Sequence, residues 1–373
     1  MNLPILQGRH IYGGASSSLI VDGQKFVNFA GCNYLALFQR NELQEAARLS
    51  LDSKDNFAKF LPASYGGIDP AFEEVEQEAA RFFGTESSVY LPSGYHLGIA
   101  GVGGLSELYD EIVIDKYAHW CLQDAAKLSG RPIHTFDHQD IESLERIVRS
   151  LRDGVKPLLL CDGISASSGC LPPLDVYAEI ISKRNGWIFV DESHAAGVLG
   201  DTGRGSVQHF GVESRAFIAT TLSKAFGALG SVFLGPSEIV EKARKVPAVR
   251  GSNPGSPLAA RVATAALKLV GENPGMCDSL RKLSEQFRIK LLAAGIECPK
   301  SPSAIVSFKL ETAEKMRGLQ KALFDDQIYV LYSDYIGVDS EGLIRASVFS
   351  DHSLSDLDRF VQVTTDFVSR VCG

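Results

Sequence analysis

Nothing in this 373-residue sequence approaches the roughly 20 uninterrupted apolar residues that a membrane-spanning helix requires. There is no excess of positive charge either. The 37 lysines and arginines stand against 45 aspartates and glutamates, a net charge of −8, which disfavours a nucleic-acid binder that works through bulk charge. The opening MNLPILQGRH has no basic stretch followed by an apolar one, so no secretory signal is expected and a cytoplasmic location is. The seven cysteines, at positions 32, 121, 161, 170, 277, 298 and 372, are odd in number and scattered, with no C-x-x-C pair. They read as reduced thiols, not as a disulfide frame or a metal site, and no metal is expected. Four motifs are also missing: the G-x-x-x-x-G-K-[ST] phosphate loop, H-E-x-x-H, the G-x-S-x-G elbow and a strand-linked G-x-G-x-x-G. Their absence weighs against NTPase, metalloprotease, α/β-hydrolase and dinucleotide-oxidoreductase readings.

What is present is a globular composition, 45% hydrophobic and 22% charged, long enough for two or three domains. Two short apolar runs, 18–21 and 25–29, predict a strand pair that leads into a helix near 41–51. An amphipathic helix is expected over 72–83, stopped by Gly84. From about 87 to 235 six apolar runs (SSVYL, EIVID, PLLLCDG, GWIFVDE, AFIATT, SVFLG) alternate with helix-length segments. This is the pattern of a largely parallel sheet covered by helices. The breaker SNPGSP at 252–257 ends that pattern. Beyond it, helices are expected at 258–270 and 276–294, strands at 304–309, 327–331 and 343–348, and a final helix at 355–371. The expected layout is an N-terminal segment (1–45), a large α/β domain (46–255) and a smaller C-terminal α/β domain (256–373).

Ligands of open α/β sheets bind at the carboxyl ends of the strands. One such end delivers Asp191, Glu192 and His194; about thirty residues later another is followed by Thr221, Ser223, Lys224 and the run AFGALGS. A single strand-end aspartate is ordinarily a cap, and a single lysine in a Gly/Ser-rich loop is ordinarily solvated. Together, in this order, they suit a cofactor that needs a covalent amine and a carboxylate at once. Pyridoxal 5′-phosphate is such a cofactor: its aldehyde forms an imine with lysine, and a carboxylate keeps its ring nitrogen protonated.

The runs VDESHAAGVLGDTGRG (190–205) and TLSKAFGALGS (221–231) resemble the α-oxoamine synthases, fold-type I pyridoxal-phosphate enzymes. The similarity extends over NFAGCNYLAL (28–37), AFEEVEQEAARFFG (71–84), YLPSGYHLG (90–98), DKYAHWCLQDA (115–125), CDGISASSGCLPPL (161–174) and IRASVFSDHSLSDLDRF (344–360). The resemblance implies a large, mostly parallel seven-stranded sheet domain and a smaller C-terminal α/β domain. It also implies an acyltransferase that condenses an amino acid with an acyl thioester, on coenzyme A or a carrier protein, with loss of carbon dioxide. By the same resemblance Lys224 is the Schiff-base lysine and the acid/base at Cα, Asp191 pairs with the ring nitrogen, His194 with the phenolic oxygen, and His119 stacks on the ring. Gly94, Tyr95, Thr221 and Ser223 hold the phosphate, Ser252 and Asn253 reach the phosphate site of the other subunit of a homodimer, and Arg345 holds the substrate carboxylate.

The substrate-facing segments depart from the family. Cys32 stands where an asparagine is usual, beside Asn33, which points elsewhere if that segment is extended. The stretch FAKFLPASYGG, with Ser64, is bulkier than usual, and Cys32, Asn33 and Ser64 are the other candidate substrate contacts. Ala166 and Ser168 replace a serine and an acid, and Ser165 or Ser167 are candidates to compensate. An intact cofactor core inside an altered shell implies a divergent synthase. The alternatives are transamination, racemisation or carbon–carbon cleavage on the same scaffold, or a catalytically silent subunit, against which the presence of Lys224 counts.

Overall fold

The computed structural model describes residues 6, 8–52 and 69–371. Ser64, the stretch FAKFLPASYGG and Cys372 lie outside the described residues. The chain divides into two compact units, one of residues 38–165 and 171–274, the other of residues 1–37, 166–170 and 275–373.

The first unit is built on a seven-stranded sheet. Its spatial order is Ser87–Leu91, Ser231–Gly235, Ala216–Thr221, Trp187–Asp191, Pro157–Asp162, Glu111–Asp115 and Ile133–Phe136. Ser231–Gly235 runs antiparallel to both its neighbours and the remaining pairings are parallel. The strands read as continuous apolar runs because helices cover both faces: Ile112, Val113, Leu158, Leu159, Leu160, Ile188, Phe189 and Val190 are fully buried. The six apolar runs became six of the seven strands. The seventh, Ile133–Phe136, is a sheet edge with His134 and Thr135 partly exposed, so its sequence carries no buried run. The helix Pro70–Phe83 starts where the Asp69 carboxylate accepts from the Ala71 N–H and Pro70 fills the first turn. It stops at Gly84, whose φ of 70° is left-handed.

In the second unit Ile11–Gly13, Ser18–Val21 and Gln24–Asn28 form an antiparallel meander, extended by a parallel pairing with Ile328–Tyr329. A three-stranded antiparallel sheet has Leu343–Ser347 at its centre, between Ile305–Phe308 and Leu331–Ser333. Phe29, Phe287, Phe360 and His352 pack ring against ring in its core. The expected division at 45/46 and 255/256 differs from these units. The breaker SNPGSP only turns the chain, because the helix that follows it, Pro257–Glu272, packs on Pro70–Phe83 and Asn41–Asp52 within the first unit. The division falls instead at the second breaker, GENPG. The N-terminal meander groups with the C-terminal segment because Gln24–Asn28 pairs with Ile328–Tyr329. Among the described residues no helix is long and apolar enough to cross a membrane.

Close packing ties the sheet to the helix His96–Gly104. A methyl group built on Gly101 would overlap the ring edge of Phe189, on the strand that ends in Asp191. Gly101→Ala gains about 1 kcal/mol of helix propensity but overpacks a fully buried ring at a cost of about 1–3 kcal/mol. The expected net result is a lower denaturant midpoint, partly recovered by Phe189→Leu. An unchanged midpoint in Gly101→Ala would show that the helix shifts without cost.

Candidate active site

The parallel register places Asp162 directly beside Asp191 at adjacent strand ends. Asp191 is buried; its Oδ1 accepts the Ser193 N–H at 2.9 Å, and its Oδ2 lies 3.6 Å from the Cys121 thiol. The Asp162 Oδ2 accepts the His119 N–H at 2.9 Å. Burial and the neighbouring Asp191 charge hold the Asp162 carboxyl well above the usual carboxylate range. That shift favours the protonated form of Asp162, which lowers the repulsion that two adjacent buried carboxylates would otherwise carry.

His119 caps the helix Trp120–Leu128, its Nδ1 accepting the Cys121 N–H at 3.2 Å. Burial pushes its imidazole below the ordinary value; the Asp191 carboxylate opposes that shift and the Lys224 ammonium adds to it. Lys224 Nζ lies 2.9 Å from His194 Nε2. Lys224, His194, Asp191 and His119, drawn from three segments, thus gather at the carboxyl ends of the strands, in the unit that holds the large sheet.

Beside them, the helix His96–Gly104 begins after Tyr95, and the Thr221 hydroxyl lies 2.7 Å from that of Ser223. A Cβ on Gly94 would come 3.2 Å from Thr221 Cβ, so glycine leaves a backbone-lined recess between the two segments. Tyr95 is half exposed, and its hydroxyl donates to Asp124. Ser252 and Asn253 make their hydrogen bonds within their own turn, Ser252 Oγ to the Ala248 carbonyl and the Gly255 N–H to Asn253 Oδ1.

In the other unit Arg345 occupies the central strand of its sheet, not an edge, and is buried. Nε donates to the Ala166 carbonyl at 2.7 Å and Nη1 to Ser347 Oγ at 2.8 Å; Nη2 lies 3.4 Å from the Tyr34 hydroxyl and 3.7 Å from Cys32 Sγ. Ala166 contributes a backbone carbonyl here, so the missing serine hydroxyl is immaterial to this contact. Ser168 Oγ accepts the Cys170 N–H and Ser167 Oγ donates to the Ile336 carbonyl. The segment at Cys32 and Asn33 is a turn closed by the Ala36 N–H on the Asn33 carbonyl, not the extended stretch on which the orientation of Asn33 was argued.

Sequence reasoning passed over Asp162 and Cys121. Asp162 was findable, because PLLLCD ends in it as GWIFVD ends in Asp191. Cys121 was not, because its contact with Asp191 spans 70 residues. A ring nitrogen of His119, Cys121 Sγ and a carboxylate oxygen of Asp191 lie within 4.8 Å of one another, a spacing a metal ion could use. The chemistry of the donors opposes that use: burial pushes the Cys121 thiol far up, where it stays protonated, and His119 Nδ1 is occupied as a helix cap.

Because folding lowers the affinity of His119 for a proton, its contribution to stability is complete above its ordinary value of 6.5 and is lost as pH falls through that value. His119→Asn keeps a capping acceptor but does not titrate. In denaturant titrations between about pH 7 and pH 5 the variant should lose less stability than the wild type; equal slopes would show that His119 titrates alike in folded and unfolded chains.

A family model described as aminotransferase class I and II matches residues 25–363. Among curated relatives, an 8-amino-7-oxononanoate synthase of Thermosipho melanesiensis is 29% identical over 343 residues, 91% of this chain and 88% of the relative. That of Alkaliphilus metalliredigens is 27% identical over 365 residues, 97% and 91% of the two chains. Serine palmitoyltransferase of Sphingomonas wittichii superposes with a TM-score of 0.91 at 21% identity, covering 97% of this chain and 92% of the other. An 8-amino-7-oxononanoate synthase of Francisella tularensis gives 0.79 at 24% identity, covering 92% and 98%. With a match that runs from the N-terminal meander into the last helix, the chain belongs to the aminotransferase class I and II family.

Proposed function

We propose that the protein is an α-oxoamine synthase that uses pyridoxal 5′-phosphate to join an amino acid to an acyl thioester, releasing carbon dioxide and the free thiol. The observation that carries this reading is the primary amine of Lys224, in contact with His194 and, like the buried Asp191, close enough to His119 to act on it electrostatically. Relatives across more than 90% of the chain carry the name of such a synthase, which supports it.

The residues fit the cofactor. Asp191 Oδ2 receives only a weak thiol contact among the described residues, which leaves it able to accept a ring N–H. The recess at Gly94, with the helix start after Tyr95 and the hydroxyls of Thr221 and Ser223, suits a phosphate at a positive helix end. When bound, the cofactor supplies an electron sink that stabilises negative charge at the amino acid's Cα. Lys224 would hold the cofactor through its aldehyde, and its amine is the group that would take the proton from Cα and later return one. His194 holds both the phenolic oxygen and the Lys224 amine in place. His119, neutral because buried, covers one face and keeps water from it. Arg345 takes the substrate carboxylate: a buried guanidinium whose partners are all neutral retains its full charge for an anion. The atoms balance as amino acid plus acyl thioester giving α-aminoketone, carbon dioxide and thiol. The enzyme works as a homodimer in the cytoplasm, with Ser252 and Asn253 completing the phosphate site of the other subunit.

Incubation with a panel of amino acids and acyl thioesters should release free thiol and an α-aminoketone detectable by mass spectrometry. Lys224→Ala should lower turnover about 10²–10⁴-fold, and borohydride should fix the label on the peptide containing Lys224. Arg345→Met should raise the amino-acid KM about 10–100-fold, the worth of a hydrogen bond to a charged group. A keto acid formed without thiol release, or a label on another lysine, would overturn the reading.

A further inference from the structure

At the opposite ends of the strands from Lys224, a cavity of about 370 Å³ opens among Phe83, Trp187, Phe217, Leu234 and Arg204. Its size falls within the range of small-molecule sites, and its walls are mostly apolar and aromatic, with one cation. The Arg204 guanidinium lies against Gly84, where a Cβ would come within 2.5 Å of Nη1, so glycine is what makes room for it. Its Nε is buried and donates to nothing, and Arg204 pairs with no carboxylate, among the described residues. Because Nε is fully enclosed, the Nη groups are what Arg204 can offer to a molecule in the cavity it lines.

The loop that carries Arg204 is held in place before any ligand arrives. Gln208 Oε1 accepts the N–H groups of Thr202 and Arg204, and the buried Glu192 carboxylate accepts those of Ser206 and Val207 at 2.8 and 2.7 Å. The remaining charges are disposed around this cation. Glu86 is committed to Ser237, Glu213 stands exposed at the rim, and the Arg215 guanidinium lies 5.8 Å from the centroid of the Trp187 ring.

We propose that this cavity is a binding site for a small amphipathic carboxylate, whose oxygens are taken by Arg204 and whose apolar body lies against Phe83, Trp187 and Phe217. A fixed guanidinium is a fork shaped for a carboxylate, and the aromatic walls offer the rest of the molecule a dry surface. The site lies at the ends of the strands away from Lys224, so it does not rest on the reading of the catalytic residues.

Trp187 and Trp120 are the two tryptophans of the chain, so a Trp120→Phe background makes Trp187 fluorescence a reporter of the cavity. Titration of the full chain with octanoate should give a saturable change, with octanol, the same body without the charge, binding at least about tenfold more weakly. Arg204→Gln should weaken octanoate about tenfold or more while leaving octanol unchanged. Ser214→Phe, which narrows the mouth, should weaken both. Should Arg204→Gln fail to fold, Glu213→Gln keeps the test open, because removal of the rim carboxylate should tighten octanoate and leave octanol alone. Equal affinities for octanoate and octanol, no saturable signal, or indifference of octanoate to whichever charge variant folds would overturn the proposal.

Discussion

The burial of carboxylates at the ends of parallel strands is the constraint on which the rest depends. Asp191 cannot leave the sheet end without moving a strand whose central residues are entirely buried, and in register beside it stands a second acid, Asp162. Two such groups side by side are tolerated because burial and the neighbouring charge favour the protonated form of Asp162 and both accept backbone N–H groups, from Ser193 and from His119. The fold therefore maintains a desolvated negative charge at one point, and the Lys224 amine is positioned near it. That combination is unfavourable for an empty protein and favourable for one that must hold a protonated aromatic ring.

The loop after Asp191 makes the arrangement rigid. Glu192, fully buried and with its carboxyl pushed up to about 7 by burial, accepts two N–H groups and the hydroxyl of Ser206. Gly205 lies against that carboxylate with a φ of 111°, where a side chain would be both strained and in contact with it. The adjacent residues of DESH thus divide the labour: His194 meets the Lys224 amine, Asp191 sits beside Cys121, and Glu192 anchors the turn that leads to Arg204. In the other unit, the polar groups around Arg345 supply acceptors without supplying charge, so the guanidinium is satisfied but not neutralised.

Much of this was legible beforehand. The apolar runs and Gly/Pro breakers located six strands of the large sheet, because parallel strands buried on both faces leave an unmistakable pattern. The edge strand Ile133–Phe136 escaped because half of it meets solvent. Asp191, His194 and Lys224 could be expected together because strand ends and strand-following loops are where such sheets collect their ligands, whereas His119 followed only from the family resemblance; the structure gathers the four at one place. The unit boundary was misread at SNPGSP, since a breaker shows that a helix ends and not which body the next helix packs against.

Composition, periodicity and punctuation determined the elements and the residues that end them, because those depend on contacts close in sequence. Only the tertiary structure decided which strand ends become neighbours. It set Cys121 against Asp191, gave Arg345 the Ala166 carbonyl, and brought Gly84 to the Arg204 guanidinium. Each of these contacts spans tens to hundreds of residues. What fixes them is the register of paired strands and the fit of packed faces, which have no counterpart in any local stretch of sequence.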